Sequence, residues 1–409
     1  MKSEREQAGV TEALYETNGF IKEFTATVVD CSKATEDKGD LFALILDRTA
    51  FFPEGGGQQS DTGLIGDAIV SDVQINEAGN IVHYVDKCFE KGASVAGLID
   101  FPARMARMQN HSAEHILSGL IHSMYGYDNV GFHMSEAEVR FDINGVLTKE
   151  QIDDLEAQAN VVVYSNIPIT VSFPTEEEAR NLEYRSKLDI YENIRLVTIG
   201  DVDCCACCAP HLDTTGQIGV IKIIDYMPHR QGMRITMVAG MDALNDYTML
   251  HENNAAIMAL LSAKRDATAQ YANDFMNKLQ KMKEENTSLK YEMTRLISES
   301  VLARLSGRAQ GDNSPEVIFT DVLDNQGLRN LINACTKQYA VPVAGFIGND
   351  KDGYRYIISC SGDVDIRMLS GKLNEKLGGK GGGSAQMVQG SVNGTRADIE
   401  KILEAGVEK

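Results

Sequence analysis

The chain has 409 residues, 43% of them hydrophobic, and a formal net charge of −20. This length fits two to four domains, and no apolar run is long enough to cross a bilayer, which indicates a soluble protein without a membrane partner. The acidic balance argues against broad, non-specific nucleic-acid binding, because such binding depends on phosphate neutralisation by Lys and Arg. Any RNA partner must therefore meet local basic patches.

The first hundred residues are predicted to form a small β-barrel domain. Residue types that favour strands are concentrated in five short runs, namely Phe24–Val29, Leu41–Leu46, Leu64–Ile75, Ile81–Val85 and Ser94–Ile99. Between the second and third runs, Gly55, Gly56, Gly57 and Gln58 belong to a PEGGGQ segment. Glycines permit backbone conformations and a close approach that a Cβ would block. The segment therefore fits either a tight hairpin corner or a bare backbone that grips a ligand.

Residues 101–240 are predicted to form an α+β domain that opens with a helix over Pro102–Tyr125. The helical repeat places His111 and His115 on one face, about one turn apart. Further strands are predicted around a helix at Lys149–Ala159, and they lie at Glu138–Ile143, Asn160–Ile169, Ile194–Ile199 and Gln217–Tyr226. A lone HxxxH pair is more often a core or surface pair than a metal site.

A second pair of soft metal ligands, Cys207 and His211, lies far downstream. Pro210 disfavours helix at the residue before it, so we place this pair on a turn. Together the two pairs can supply a four-ligand zinc site. The chain has eight cysteines and no apolar N-terminal segment, which predicts a cytoplasmic protein with reduced thiols. Its Cys204–Cys208 cluster is then metal-binding or redox-active rather than a disulfide framework.

Residues 241–312 are predicted to form a helical, coiled-coil-like linker. Its apolar residues follow heptad spacing, and they are Phe275, Leu279, Met282, Leu289, Met293 and Leu296. Asn286 fills the missing seam position, where a polar residue can set register and partner number. The pattern favours a homodimer, and an amphipathic helix that lies on its own domain is the alternative.

Residues 313–409 are predicted to form a C-terminal α/β domain with alternating strands and helices. A glycine-rich loop, Gly378–Ser384, interrupts this pattern near the end. Lys376 and Lys380 place positive charge beside the bare N–H groups of the loop, which suits a phosphate. A flexible loop with solvated lysines is the alternative reading of the same residues.

These motifs resemble those of the editing half of alanyl-tRNA synthetase and, specifically, the long form of the free-standing alanyl-tRNA editing proteins, the AlaX family. Phe52–Asp61 is similar to the family's PEGGGQ segment, and Asn110–His115 to its N-H-S/T-x-x-H metal helix. Cys207–Gly219 resembles its CxxxH and TGxIG segment, although Cys208-Ala209-Pro210 stands where the family has Gly-Gly-Thr. Gly378–Gly390 resembles the glycine signature of the family's DHH-associated C-terminal domain.

The resemblance implies hydrolysis of the ester that joins a wrong amino acid, serine or glycine, to tRNA(Ala). It implies Zn2+ bound by His111, His115, Cys207 and His211. His133 resembles a residue of the family's pocket wall and is a catalytic candidate. Apart from the resemblance, Glu114 is a candidate general base if it faces the ion, and an exposed helix glutamate without a role is the alternative. The predicted tRNA contacts rest on the bare glycine backbone and the flanking lysines, and they are Gly55, Gly56, Gly57, Gln58, Lys376, Lys380, Gly381 and Gly382. No class II activation module is recognisable, so the chain is expected to edit in trans without charging tRNA.

Three questions stay open at this level. Four protein ligands close a structural zinc site, so the zinc either activates water or only orients the substrate. His111–His115 also satisfies H-x-x-E-H, the inverted zincin pattern of some metallopeptidases. An RNA-binding protein with structural zinc and no turnover is a second alternative. Serine and glycine differ by too small a group for the sequence to decide between them.

Overall fold

The computed structural model describes residues 11–135, 138–186 and 194–405, and the ends of the first and last predicted domains lie outside this part. Its helices are α1 (Phe101–Tyr125), α2 (Lys149–Tyr164), α3 (Glu176–Asn181), α4 (Gly240–Leu261), α5 (Thr268–Ser306), α6 (Asn325–Gln338), α7 (Arg367–Lys376) and α8 (Arg396–Glu404). Its first ten strands are β1 (Glu12–Ala13), β2 (Glu23–Lys33), β3 (Phe42–Leu46), β4 (Arg48–Thr49), β5 (Gly63–Ile65), β6 (Ala68–Ile75), β7 (Ile81–Val85), β8 (Ser94–Ile99), β9 (Asn129–Met134) and β10 (Val139–Ile143). The others are β11 (Ile169–Ser172), β12 (Leu196–Ile199), β13 (Asp203–Ala206), β14 (Ile221–His229), β15 (Gly232–Ala239), β16 (Glu316–Thr320), β17 (Val343–Asn349), β18 (Gly353–Ser359), β19 (Lys380–Gly383) and β20 (Met387–Val392). The chain divides into two compact units, Met1–Asn254 and Ala255–Lys409, in a multidomain α+β architecture.

The first unit begins with a closed six-stranded barrel, which confirms the predicted N-terminal β-barrel. Its strands follow the order β2-β3-β7-β6-β5-β8, and β2 pairs with β8 to close the ring. Side chains alternate between the two faces of each strand, so that Val95 and Ile99 of β8 are buried while Ser94 and Leu98 are exposed.

Two cysteines of the barrel differ from the expectation that all thiols are reduced. Cys31 of β2 and Cys88, which follows β7, form a disulfide across a sequence separation of 57 residues. Barrel closure brings their Cα atoms to 6.0 Å, within the range that a disulfide can bridge. Nothing in the spacing of these scattered cysteines indicated the pair.

The rest of the first unit packs α1 and α2 against a four-stranded sheet, β14-β15-β10-β9, and a three-stranded sheet, β11-β12-β13. The predicted helix over Pro102–Tyr125 is confirmed as α1. The Asp100 side chain accepts a hydrogen bond from the Ala103 amide at its start, and Gly126 ends it in the left-handed conformation.

The predicted strand over Asn160–Ile169 is wrong in its first half, because α2 continues to Tyr164. Valines favour strands locally, but tertiary contacts keep this segment helical. The Asn160 side chain bonds to both the amide and the carbonyl of Ile221 on β14, and Val163 is buried in the core beneath.

The second unit contains a mixed sheet with strand order β16-β17-β18-β20-β19, together with α6, α7 and α8. The glycine-rich segment is partly an edge strand rather than a loop, because Lys380–Gly383 pairs with β20. A Cβ on Gly381 would approach the Tyr356 hydroxyl to 2.3 Å and the Gln389 carbonyl to 2.7 Å. Glycine therefore permits the close pairing that turns this segment into a strand.

The predicted linker consists of two helices, α4 and α5, separated at residues 262–267. On α5, the seam residues Phe275, Met282 and Leu289 are more than half exposed, whereas Val301 and Leu305 near the C-terminal end are buried. Among the described residues, no helix combines the length and apolar character needed to span a membrane.

Candidate metal centre

Four predicted ligands, which lie far apart in the sequence, meet inside the first unit. Helix α1 presents His111 and His115 from consecutive turns, and the loop after β13 presents Cys207 and His211. Their ligand atoms all lie within 4.8 Å of one another. The three imidazoles are buried, so an ion held here would be largely removed from solvent.

Two of the imidazoles are oriented by neutral hydrogen-bonding partners at Nδ1. His111 Nδ1 lies 2.7 Å from the Gln58 Oε1 atom, and His211 Nδ1 lies 3.0 Å from the Ser112 hydroxyl. An imidazole whose Nδ1–H donates to such a partner keeps the lone pair on Nε2 for a metal. Both Nε2 atoms face the Cys207 thiol.

The third imidazole has a charged partner. His115 Nδ1 lies 2.9 Å from Asp203 Oδ2, and Arg185 donates to both oxygens of the same carboxylate. Burial disfavours the Asp203 carboxylate, but the hydrogen bonds from His115 and Arg185 outweigh it and lower the pKa of this group.

Two distances within this set are compatible with binding of one zinc ion. Cys207 Sγ lies 3.7 Å from His111 Nε2 and 3.3 Å from His211 Nε2. Usual Zn–S and Zn–N bond lengths give a sulfur–nitrogen edge of about 3.5 Å in a tetrahedron. Burial alone would raise the pKa of the Cys207 thiol, but the electrostatic and hydrogen-bond contributions of the neighbouring imidazoles, led by His111, lower that pKa well below its ordinary value. The thiolate is the form that a metal requires.

The glycine-rich segment of the barrel forms one wall of this centre. Gly55 and Gln58 pair across a tight turn, in which Gly56 and Gly57 have positive φ angles. The Gly57 carbonyl accepts a hydrogen bond of 2.9 Å from the Met134 amide on β9. The turn thereby brings Gln58, which is fully buried, to His111. Among the described residues, the Gln58 Nε2 atom has no hydrogen-bond partner.

The two predicted catalytic residues do not join the ligand cluster. Glu114 is buried, and its Oε1 atom accepts hydrogen bonds from Ser118 and Asn129. His133 is exposed on β9, next to Phe132, whose ring stacks on His111 at a centroid distance of 5.0 Å. Neighbouring side chains of a strand point to opposite faces, so His133 points away from the ligands. Both catalytic roles stay predictions.

The predicted tRNA contacts occupy two places. Gly55, Gly56, Gly57 and Gln58 form the barrel turn of the first unit, and Gln58 contacts the ligand His111. Lys376 ends α7, while Lys380, Gly381 and Gly382 lie on β19 of the second unit, and all four are exposed.

Arg195 is a residue of the site that the sequence analysis missed. Its Nη1 atom donates to the carbonyls of Cys207 and Ala209, and its Nε atom donates to the Glu16 carbonyl. The guanidinium therefore ties the ligand loop to the first residues of the barrel region. The only sequence signal for Arg195 was the presence of an arginine within an apolar run. Such a run does not reveal which carbonyl groups the arginine side chain will contact.

Three family models match the chain. The model described as the threonyl and alanyl tRNA synthetase second additional domain matches residues 194–236, which include Cys207 and His211. The model of class II (A) tRNA synthetases matches residues 2–102, which include the barrel. The sequence analysis did not predict this match. The DHHA1 domain model matches residues 315–408.

Several curated proteins align with nearly the whole chain. Alanyl-tRNA editing protein AlaX-L of Pyrococcus horikoshii is 25% identical, and the alignment covers 98% of both chains. Alanyl-tRNA editing protein Aarsd1 of Danio rerio is 24% identical, over 94% of this chain and 95% of that protein. The alanine–tRNA ligase of Pyrococcus abyssi is 28% identical, over 97% of this chain but only 43% of the ligase. This chain therefore spans less than half of that ligase.

Proposed function

We infer that this chain is a free-standing alanyl-tRNA editing protein, and we propose that it deacylates tRNA(Ala) carrying serine or glycine. The observation that carries the proposal is the buried cluster of His111, His115, Cys207 and His211. Two of these ligands lie within the segment that matches the synthetase second additional domain. Proteins named for alanyl-tRNA editing align with the chain from end to end, which supports the same activity.

The four clustered residues would hold Zn2+ in this proposal. Bound zinc can polarise an ester carbonyl or lower the pKa of a water molecule. The protein's own contribution is orientation, because Gln58 and Ser112 hold the Nδ1 atoms of His111 and His211. The unpartnered Nε2–H group of Gln58 is a donor beside the ligands and suits a polar group of the terminal aminoacyl-adenosine.

Glu114 is the proposed general base, and its test is the isosteric change Glu114→Gln. The carboxylate accepts two hydrogen bonds through one oxygen, from Ser118 and Asn129. Loss of turnover with unchanged zinc content would support a catalytic role. Reduced zinc content together with reduced stability would instead assign Glu114 to the support of α1.

Binding of tRNA is proposed to involve the second unit, where Lys376 and Lys380 are exposed beside the glycine strand β19. Changing both lysines to Ala should weaken tRNA affinity and reduce its dependence on salt, because each lysine neutralises a phosphate. The matched control is Lys351→Ala with Lys401→Ala, which removes the same charge from exposed positions of the same unit. Equal losses in both double variants would contradict a local phosphate site.

A homodimer through α5 is part of the same proposal. Phe275, Met282 and Leu289 follow heptad spacing and are 55%, 58% and 64% exposed in the single chain. Changing Met282 and Leu289 to Glu should convert a dimer to a monomer by light scattering. A wild-type chain that is monomeric at high concentration would contradict it.

The decisive experiment is a deacylation panel with Ser-tRNA(Ala), Gly-tRNA(Ala), Ala-tRNA(Ala) and Ser-tRNA(Thr), with and without a zinc chelator. We expect faster hydrolysis of Ser-tRNA(Ala) or Gly-tRNA(Ala) than of correctly charged Ala-tRNA(Ala). A preference for Ser-tRNA(Thr) would indicate a threonyl-type editing enzyme. Binding of tRNA without hydrolysis would leave a zinc-containing RNA-binding protein, and cleavage of peptides would favour the metallopeptidase alternative.

A further inference from the structure

His115 differs from the other two histidines of the cluster in the charge of its Nδ1 partner. Gln58 and Ser112 offer neutral oxygens to His111 and His211, whereas Asp203 offers a carboxylate to His115 at 2.9 Å. The Asp203 side chain is 1% exposed, and that of His115 is 3% exposed. A buried carboxylate is costly unless it is paired and fully hydrogen-bonded, so this one requires an explanation.

Arg185 provides the pairing for that carboxylate. Its Nε atom donates to Asp203 Oδ1 at 2.6 Å and its Nη2 atom donates to Oδ2 at 2.9 Å, a two-point contact that fixes the plane of the carboxylate. The backbone of Arg185 is itself held on β13, because its amide donates to the Cys204 carbonyl and its carbonyl accepts from the Ala206 amide. A rigid connection therefore runs from β13 through Arg185 and Asp203 to the imidazole on α1.

We propose that Asp203 is a positioning residue for the metal centre, which holds the proton of His115 on Nδ1 and leaves Nε2 free to bind zinc. Arg185 keeps the carboxylate in the orientation that this task requires. The inference rests on the proposed zinc site, and it adds two residues that are not ligands. Partners of this kind, when removed, lower metal affinity about 10–100-fold in other metal sites.

The change Asp203→Asn separates this role from simple packing, because the amide keeps the shape of the carboxylate but has only one acceptor oxygen. The amide oxygen fits best at the Oδ2 position, where it accepts from both His115 Nδ1 and Arg185 Nη2, and the amide nitrogen then opposes the Arg185 Nε–H at the Oδ1 position. His115 then keeps its Nδ1–H partner but loses the negative charge that holds the proton there, and the two opposed donors at the Oδ1 position disturb the orientation of the side chain.

The second variant, Asp203→Asn with Arg185→Met, removes the competing donors and leaves no unpaired buried charge. The amide oxygen then accepts the Nδ1–H of His115 without two opposed donors at the Oδ1 position. The double variant should therefore bind zinc more tightly than Asp203→Asn alone. A role limited to packing predicts the opposite, since the double variant loses more native contacts.

Asp142 provides a matched control in the same compact unit. Arg234 contacts it with the same geometry, Nε to Oδ1 at 2.7 Å and Nη2 to Oδ2 at 2.9 Å, but Asp142 does not contact the ligand cluster. The Asp142 side chain is 17% exposed against 1% for Asp203, so Asp142→Asn removes an ion pair of the same geometry at a less buried position and should leave zinc affinity near that of wild type. This variant measures how much of a loss in zinc affinity comes from general destabilisation of the unit.

The experiment measures zinc affinity of the full-length protein by competition with a chromogenic chelator, and records the spectrum of the cobalt-substituted forms. We expect a loss of about 10–100-fold for Asp203→Asn, partial recovery in the double variant and an unchanged cobalt spectrum at saturation. Unchanged affinity in Asp203→Asn, or a loss equal to that of Asp142→Asn, would overturn the inference. A changed cobalt spectrum would also overturn it, since Asp203 would then be a ligand.

Two further outcomes keep the test decisive. If Asp203→Asn does not fold, the double variant still decides, because a loss of zinc affinity greater than that of Asp142→Asn supports the inference and an affinity equal to that of Asp142→Asn overturns it. A wild-type chain that binds no zinc would reject the proposed metal centre and this inference together. Zinc binding by wild type with no effect of Asp203→Asn would reject this inference alone.

Discussion

Gln58 and His111 join the barrel to the metal helix, since the Gln58 Oε1 atom lies 2.7 Å from His111 Nδ1. Gln58 is fully buried, and it is followed directly by Gln59, which is exposed. The barrel thus contributes to the metal centre through one side chain, at the corner of a glycine turn.

The change Gln58→Ala should reduce zinc affinity, because His111 then loses the partner that orients its ring. We expect a loss of about 10–100-fold, measured by chelator competition, with slower deacylation. Gln59→Ala is the matched control and should leave both quantities near wild type. Equal behaviour of the two variants would contradict an orienting role for Gln58.

Gly57→Ala should be more damaging than Gly56→Ala. Both glycines have positive φ angles, of 88° and 61°, so a side chain at either position costs about 1–2 kcal/mol of backbone strain. A Cβ on Gly57 would also lie 2.6 Å from the Phe132 carbonyl oxygen, whereas a Cβ on Gly56 meets nothing within 4 Å. We expect a larger loss in both the free energy of unfolding and zinc affinity for Gly57→Ala. The reverse order would show that the turn does not dock on β9 as described.

Single Ala substitutions at His111, His115, Cys207 and His211 should each lower the amount of zinc that purifies with the protein. Cys205 should not replace Cys207, because burial raises the pKa of its thiol to about 11 and metal binding requires a thiolate.

The neighbouring cysteines provide the controls for this series. Cys204→Ala and Cys208→Ala should retain zinc, measured by elemental analysis. If either strips the zinc while Cys207→Ala retains it, the ligand assignment within the cysteine cluster is wrong.

The barrel should lose stability in acid because of His83. The ring contacts the Thr49 hydroxyl and the Leu44 carbonyl in the barrel interior, and burial lowers the pKa of His83 to about 4. The unfolded chain, with a histidine pKa of about 6.5, takes up this proton first as the pH falls. The contribution of His83 is therefore fully present above pH ~6.5 and is lost as the pH falls through ~4, with a loss of about 2 kcal/mol by pH ~5.

Urea unfolding of zinc-free protein at pH 7 and pH 5 tests this effect. His83→Gln should lose less stability than wild type between the two pH values, whatever its stability at pH 7. His251→Gln changes an exposed histidine and should lose as much as wild type. An identical loss in His83→Gln and wild type would exclude His83 as the titrating group.

The barrel, α1 and the two ligand pairs were predicted from local patterns. Each pattern depends only on residues that are close together in the sequence. Alternation along β8 and the one-turn spacing of His111 and His115 depend only on the geometry of strands and helices. The strand prediction at Asn160–Ile169 was wrong in its first half because contacts between distant residues, which short-range rules do not include, decide the structure there. Contacts between Asn160 and Ile221, which lie 61 residues apart, outweigh the local preference of the valines.

The sequence by itself therefore determined which residues can bind a metal, since ligand chemistry belongs to each side chain, and which segments form regular elements. Tertiary structure alone decided which atoms face one another. Gln58 and Ser112 lie inside motifs that the sequence shows and Asp203 lies in none, but each acquires its orienting role only because the fold brings it within 3.0 Å of an imidazole Nδ1 atom. These hydrogen bonds depend on atomic positions that distant parts of the fold determine. The spacing of residues along the chain does not specify those positions.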